Sequence, residues 1–335
     1  MTKKIQLAHG AGGKQMHSLI DDFILKIIGS SGSGLKDAEI IEGLGNYDIA
    51  MTTDSYVVKP ITFSGGDIGK LCIAGTVNDL IVSGAKPISL SLGLILEEGL
   101  EFEELERILL SIKKTADLAG VKIITGDTKV VERTAADKIY INTTGIGILK
   151  WSYRQKYSNI LAGDKIILNG TAGDHGTAVM VARGEFEIDS EIGSDVYPLN
   201  NLIESILDND FNIKFIRDCT RGGIATTLNE IALNSNLGLK IYQESIPIKS
   251  EVRAVCEILG LDPLYVANEG KVIIIISPDQ ADALLEFIKD FEEAKDSRII
   301  GEVNKDYPKK VIMETEIGGT RIVDMPSGEL LPRIC

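Results

Sequence analysis

Four aspartates stand at the edges of expected secondary-structure elements: Asp54 in TTDSYVV, Asp79 in VNDLIVSGA, Asp127 in TGDTKVV and Asp218 in RDCTRGG. Hard carboxylate oxygens of this kind suit Mg²⁺ holding a polyphosphate, with one or two carboxylates per ion and phosphate or water completing the octahedron. Each acid alone reads equally well as a turn or a cap, and Asp67 in GGDIGK reads as a helix N-cap. Two glycine clusters, HGAGGK at 9–14 and TRGG at 220–223, precede expected helices, where backbone N–H groups can cradle an anion or simply make a turn. There is no Walker A motif, because GGDIGK runs into Leu71 instead of Ser or Thr, and no GxGxxG follows a strand. The sequence closes on LLPRIC, which sets the Cys335 thiol beside an α-carboxylate. That neighbour disfavours the thiolate, so Cys335 reads as a swinging carrier thiol rather than a strong nucleophile, or else as an incidental last residue.

Residues 14–28 have the apolar spacing of an amphipathic helix, and the Gly/Ser run GSSGSGLKD follows it as a link. Strands are predicted at 48–58 and 88–96, helices at 66–85 and 102–120, and further strands in VKIITGD and KIYINTTGIGIL. KWSYRQKYSNILAG breaks this pattern, and a second series begins at DKIILNG, with helices near 173–183, 199–208, 222–235, 251–260 and 279–293. KVIIIIS is apolar without alternation, as a strand buried on both faces would be. The chain therefore divides into a glycine loop and helix (1–36), a first domain (37–150), a second domain (160–312) and a mobile tail (313–335). The tail is assigned from Gly318, Gly319, Pro326, Gly328 and Pro332. Alternating strands and helices in both halves indicate layered α/β or α+β domains.

At 335 residues there is enough chain for two cores, and 44% hydrophobic with 25% charged residues is ordinary globular composition. A net charge of −14 without a basic stripe argues against nucleic acid. No apolar run has membrane-spanning length and no secretion signal opens the sequence, so a cytoplasmic location is expected. Four scattered cysteines and three histidines suggest neither a zinc cage nor a disulfide framework, and Cys72, Cys219 and Cys256 read as packing residues.

Taken in order, TTDSYVV, GGDIGKL, GTVNDLIVSGAKP, ITGDTKVV and DCTRGG resemble the superfamily of aminoimidazole ribonucleotide synthetase, thiamine-monophosphate kinase and selenophosphate synthetase, which use ATP without a P-loop. LAHGAGGK, ANEGKV and PRIC resemble, within it, the HypE family of hydrogenase expression/formation proteins. The resemblance covers nearly the whole chain. It implies a PurM-like two-domain fold: an N-terminal ATP-binding sheet that joins a second copy in a dimer barrel, and a C-terminal α/β sandwich. The implied reaction is ATP-dependent dehydration of an S-carbamoyl group on Cys335 to S-cyanate, a source of the cyanide ligands of [NiFe] hydrogenase. The implied partners are the carbamoyltransferase HypF, which loads Cys335, the HypC–HypD complex, which accepts the cyanide, and a second copy of the chain.

By the same resemblance Asp54, Asp79, Asp127 and Asp218 hold Mg²⁺, while Gly10, Gly12, Gly13, Asp67, Asn78, Gly126, Arg221 and Gly222 join them around ATP. Glu269 is the implied base, Lys129 neutralises charge developing on oxygen, and His9 orients substrate or phosphate. Each of these three has a plain alternative: a turn carboxylate for Glu269, a surface pair with Glu132 for Lys129, and a loop contact for His9. Two other functions stay open on the residues. One is a small-molecule kinase or selenophosphate synthetase, although no cysteine precedes Cys72; the other is a non-enzymatic carrier with a cysteine tail.

Overall fold

The computed structural model describes residues 14–19, 22, 39–44, 47–184 and 192–326. After a short helix α1 (Lys14–Leu19), the first domain runs β1 (Glu39–Leu44), β2 (Tyr47–Tyr56), a two-residue ribbon β3 (Thr62–Phe63) and β4 (Gly66–Asp67), α2 (Ile68–Val82), β5 (Ala85–Glu97), α3 (Phe102–Ala119), β6 (Lys122–Val131) and β7 (Ile139–Leu149). Its five-stranded sheet has the order β1-β2-β7-β5-β6. Only β5 and β6 pair in parallel, and α3 supplies the crossover that such a pair requires. Alternate residues of β7, from Ile139 to Leu149, are buried, so one sheet face carries the core. Ile68, Leu71, Ile73 and Val77 of α2, with Ile108 and Ile112 of α3, fill that core. The other face stays open: Met51, Ile95 and Ile146 are exposed, as are Ile123, Ile124 and Val130 on the edge strand β6.

The second domain contains β8 (Lys165–Leu168), α4 (Asp174–Ala182), α5 (Asn200–Asp208), β9 (Ile213–Asp218), α6 (Gly223–Ser235), β10 (Gly238–Tyr242), α7 (Ser250–Leu259), β11 (Val272–Ile276), α8 (Ala281–Ile288), β12 (Arg298–Asn304), β13 (Val311–Glu314) and β14 (Thr320–Val323). The seven strands lie in the order β14-β13-β10-β12-β8-β11-β9. All five residues of β11 are buried. Ile273 and Ile275 face one core with Ile224 and Leu228 of α6, while Ile274 and Ile276 face another with Leu202 and Ile203 of α5 and Leu284 of α8. A central strand covered on both faces explains why the sequence there does not alternate. The second of these cores also takes in Ile81 and Val82 of α2, so the two domains share apolar packing.

The tail assignment from 313 is corrected at its start. β13 and β14 form a hairpin whose register runs from Val311↔Val323 to Glu314↔Thr320, and β13 continues the sheet beside β10. Gly318 and Gly319, taken as helix breakers, instead lie in the hairpin turn, where Gly318 has φ +80. Asn229 Nδ2 donates to the Val323 carbonyl at 2.9 Å and Tyr265 Oη to the Asp324 carbonyl at 3.0 Å, fixing the chain to the body up to Pro326. Among the described residues no helix is long and apolar enough to cross a membrane.

Candidate active site

Strand β9 ends on Asp218, and the chain turns through Cys219–Gly222 into α6. Gly222 makes that turn with φ +73, and a Cβ there would collide with Thr226, so glycine is needed on both counts. The turn is held against residues 268–271: Asn268 N–H donates to the Cys219 carbonyl at 3.1 Å, and Cys219 N–H to the Lys271 carbonyl at 3.0 Å. The buried Asn268 side chain accepts from Gly173 N–H at 2.7 Å and donates to the carbonyls of Cys219 and Val266. On the other side Asp195 accepts the N–H groups of both Glu269 and Gly270 at 3.2 Å and pairs with Lys271 Nζ at 3.1 Å.

The N–H groups of Asn268, Glu269 and Gly270 are thus tied down, whereas Glu269 Oε1 is not. Glu269 is 3% exposed, and its Oε1 has no hydrogen-bond partner. Burial, reinforced by the negative charges of Asp195, Asp218 and Asp54, holds its carboxyl well above the usual carboxylate range, with Arg221 pulling the other way. A buried carboxyl without a hydrogen-bond partner on Oε1, set among charged neighbours, is a candidate proton acceptor.

The first domain supplies the facing wall. Asp54, on β2, lies 3.7 Å from the Arg221 guanidinium, which connects it to the turn after Asp218. Asp79, on α2, accepts from Thr52 Oγ1 at 2.9 Å. Between them the buried Tyr56 bonds Thr76 at 3.1 Å, and burial followed by the charges of Asp54 and Asp79 raises its pKa well above the ordinary value. Asn78, expected beside ATP, has structural partners in the protomer. Its amide oxygen accepts from Leu199 N–H at 2.7 Å and its nitrogen donates to the Tyr197 carbonyl at 3.0 Å and, more weakly, the Glu269 carbonyl at 3.4 Å, so it stitches α2 to the second domain. Asp67 caps α2 by accepting from Lys70 N–H at 2.8 Å, as the motif suggested.

Two expected residues stand apart. Asp127 and Lys129 lie on the exposed edge strand β6 and pair with one another at 2.7 Å, so neither meets Asp54 in the protomer and Lys129 does not pair with Glu132. Gly126 lets β6 approach β5, since a Cβ would sit 2.5 Å from the Leu92 carbonyl. Cys335, His9, Gly10, Gly12 and Gly13 lie outside the described residues. Of the described residues nearest to them in sequence, Lys14 N–H donates to the Pro326 carbonyl at 3.2 Å, and Pro326 packs beside Gly222. Sequence reasoning missed Asp195, which belongs to no motif; the only hint was that ANEG needs something to hold it.

Among the described residues no three acids, cysteines or histidines stand close enough to hold an ion by themselves. Mg²⁺ on a nucleotide needs only one or two carboxylates besides phosphate oxygens, and Asp54 and Asp218, both close enough to Glu269 for their charges to raise its pKa, fit that requirement.

Residues 35–149 match the N-terminal domain, and residues 162–314 the C-terminal domain, of AIR synthase related protein. A hydrogenase expression/formation protein of Methanocaldococcus jannaschii is 47% identical over 99% of this chain and 100% of its own length. Carbamoyl dehydratase HypE of Rhodobacter capsulatus is 42% identical over 99% of this chain and 98% of its own. Among solved structures, a HypE–HypF complex aligns with TM-score 0.86 at 46% identity over 92% of this chain and 100% of the other. HypE in complex with ATP aligns with TM-score 0.83 at 41% identity over 99% and 100%.

Proposed function

The chain belongs to the HypE family of carbamoyl dehydratases, and from that premise we propose that it converts an S-carbamoyl group on Cys335 into S-cyanate at the site around Glu269, with ATP as co-substrate, for hydrogenase maturation. The carbonyl oxygen of –S–C(=O)–NH₂ is a poor leaving group. Transfer of the γ-phosphoryl group of ATP to that oxygen makes phosphate the leaving group. Loss of one N–H proton leaves the O-phosphorylated imidate –S–C(OPO₃)=NH with release of ADP, and loss of the second N–H proton together with phosphate then yields –S–C≡N.

The observation that carries this reading is the buried, unpaired carboxyl of Glu269, which takes the N–H proton. Arg221, beside Asp54, faces the same region and balances phosphate charge. Asp54 and Asp218 are the residues that would hold Mg²⁺, which when bound supplies charge neutralisation on the phosphates. Anchoring of Pro326 beside Gly222 supports delivery of the tail to this place.

Two partners follow with different support. HypF is the carbamoyl donor for Cys335, a reading supported by the solved complex of a HypE with HypF. A HypC–HypD complex as cyanide acceptor rests on the family resemblance alone. A homodimer is supported by the open face and edge of the first sheet, where Met51, Ile95, Ile123, Ile124, Ile146 and Val130 are exposed. In it Asp127 and Lys129, idle in the protomer, would lie at the seam and join a nucleotide site there.

The test is the intact mass of the full chain after incubation with carbamoyl phosphate, HypF and Mg²⁺–ATP. A carbamoyl adduct on Cys335 that then loses water on ATP turnover is expected. Retention of the whole carbamoyl mass after complete turnover excludes dehydration and leaves a carrier.

A further inference from the structure

In the motif GGDIGK the helix cap of Asp67 leaves the two leading glycines without a role. Both lie against one segment of the second domain, Gly193–Tyr197, which has no regular secondary structure. A Cβ on Gly65, whose φ is +86, would come within 2.5 Å of Ser194 N, and one on Gly66 within 2.7 Å of Val196 Cγ1. Only glycine admits so close an approach. Ser194 N–H donates to the Ser64 carbonyl at 2.8 Å, and Val196 is buried in the core of the first domain. On its other side the same segment meets the ANEG turn, where a Cβ on Gly270 would collide with the Asp195 carbonyl oxygen. Gly193–Tyr197 is therefore a strap gripped by glycines of both domains.

Asp195 connects this strap to Glu269. Its side chain, 3% exposed, accepts the Glu269 N–H on one oxygen and the Gly270 N–H on the other, both at 3.2 Å, and pairs with Lys271 Nζ at 3.1 Å. Charge-assisted bonds to these two N–H groups fix both peptides that flank the Glu269 Cα, and with them the direction in which its side chain leaves the backbone. An amide at 195 could not do the same, because its nitrogen would face a second donor. A buried ion pair adds little stability by itself, so the orientation that this one imposes is the better reason for its presence.

On the reading of Glu269 as proton acceptor in carbamoyl dehydration, on which this rests, we propose that Asp195 is a positioning residue for Glu269, and that the strap lets the Gly65–Gly66 turn of the first domain set where that carboxyl stands. Hydrogen exchange of the full chain, read by mass spectrometry over residues 266–272, tests the strap without reference to activity. Asp195→Asn combined with Lys271→Met removes both members of the pair and leaves no buried lysine charge unpaired. This double variant, and Gly65→Ala in the other domain, should each raise exchange there by about tenfold or more, with β12 unchanged. In the carbamoyl-loaded chain the maximal dehydration rate should fall by about tenfold or more in both, while the ATP concentration for half-maximal rate stays within about twofold. Unchanged exchange over 266–272 in either variant overturns the strap, and a rate that falls only in step with ATP affinity and melting temperature overturns the positioning role. A native chain that retains its carbamoyl mass would instead fail the dehydration reading, and the exchange result would still decide whether the first domain sets the placement of Glu269.

Discussion

Replacing Asn78 with alanine separates the two roles this residue could have. As a ligand contact it would affect nucleotide affinity; as the stitch described above it would affect stability. Alanine strands the buried Leu199 N–H, whose partner is Asn78 Oδ1 at 2.7 Å, and the Tyr197 carbonyl, bonded at 3.0 Å. Each buried backbone group left without a partner costs about 1–3 kcal/mol, so the pair gives about 2–4 kcal/mol once water entering the vacated space is allowed for. The contact to the Glu269 carbonyl, at 3.4 Å, is too long to add much. Urea unfolding followed by fluorescence of Trp151, the single tryptophan, suits the measurement, because Trp151 packs against the core that contains Ile81 and Val82 of α2. The midpoint should fall by that free energy divided by the slope, with the slope unchanged. ATP affinity should stay within about twofold, since no contact to phosphate is removed. An unchanged midpoint together with a tenfold or greater loss of ATP affinity would refute the stitch and restore the ligand role.

Glu269→Gln should slow dehydration by about 10²–10⁴ while leaving carbamoyl loading intact, as measured by intact mass over time. Because the folded pKa of Glu269 is raised, its contribution to stability is fully present below the unfolded glutamate pKa and fades as pH rises through the folded value; the glutamine variant lacks that decline, so its stability advantage should grow with pH. Parallel urea midpoints across the pH series would contradict this. Asp54→Asn and Asp218→Asn should weaken Mg²⁺–ATP use and spare loading, since size is kept and ligand charge removed; wild-type dehydration by both would move the metal elsewhere. Gly222→Ala should cost about 1–3 kcal/mol from its positive φ, plus the clash with Thr226, and a thermal melt unchanged from wild type would count against the turn geometry. One alanine added after Cys335 should leave ATP binding intact and slow dehydration, a misplacement of about 1 Å being able to cost about 10²-fold; an undiminished rate would make the terminal position incidental.

How far the sequence carried the reading depended on whether a signal was local. β11 was legible because five apolar residues in a row have one good explanation, burial on both faces, and Asp67 because a cap is decided within three residues. The hairpin of β13 and β14 was missed because glycine is the residue of both breaks and tight turns, and only pairing with β10 decides between them. The interdomain bonds of Asn78 were not legible because its partners, at 197, 199 and 269, are more than a hundred residues away. Asp127 was grouped with Asp54 by order along the chain, but three strand spacings and an edge position separate them. Glu269 was singled out by its motif, whereas Asp195, which holds its backbone, has no motif at all.

The anchoring of Pro326 beside Gly222 sets a kinetic regime for the reaction. Nine residues lead from Pro326 to Cys335, and nine residues span at most about 30 Å at 3.3–3.6 Å per residue, which bounds the reach of a thiol at that position. A group tethered on so short a leash meets its site at an effective concentration on the order of millimolar or above, whatever the concentration of the protein. At saturating Mg²⁺–ATP, dehydration of a thiol loaded on such a tether would be first order in protein and insensitive to protein dilution. Any dilution dependence must enter through encounters with the donor and acceptor proteins or through pairing of the first sheet. The same leash bars a free thiocarbamate in solution from competing, because it would have to match that local concentration to be processed at an equal rate.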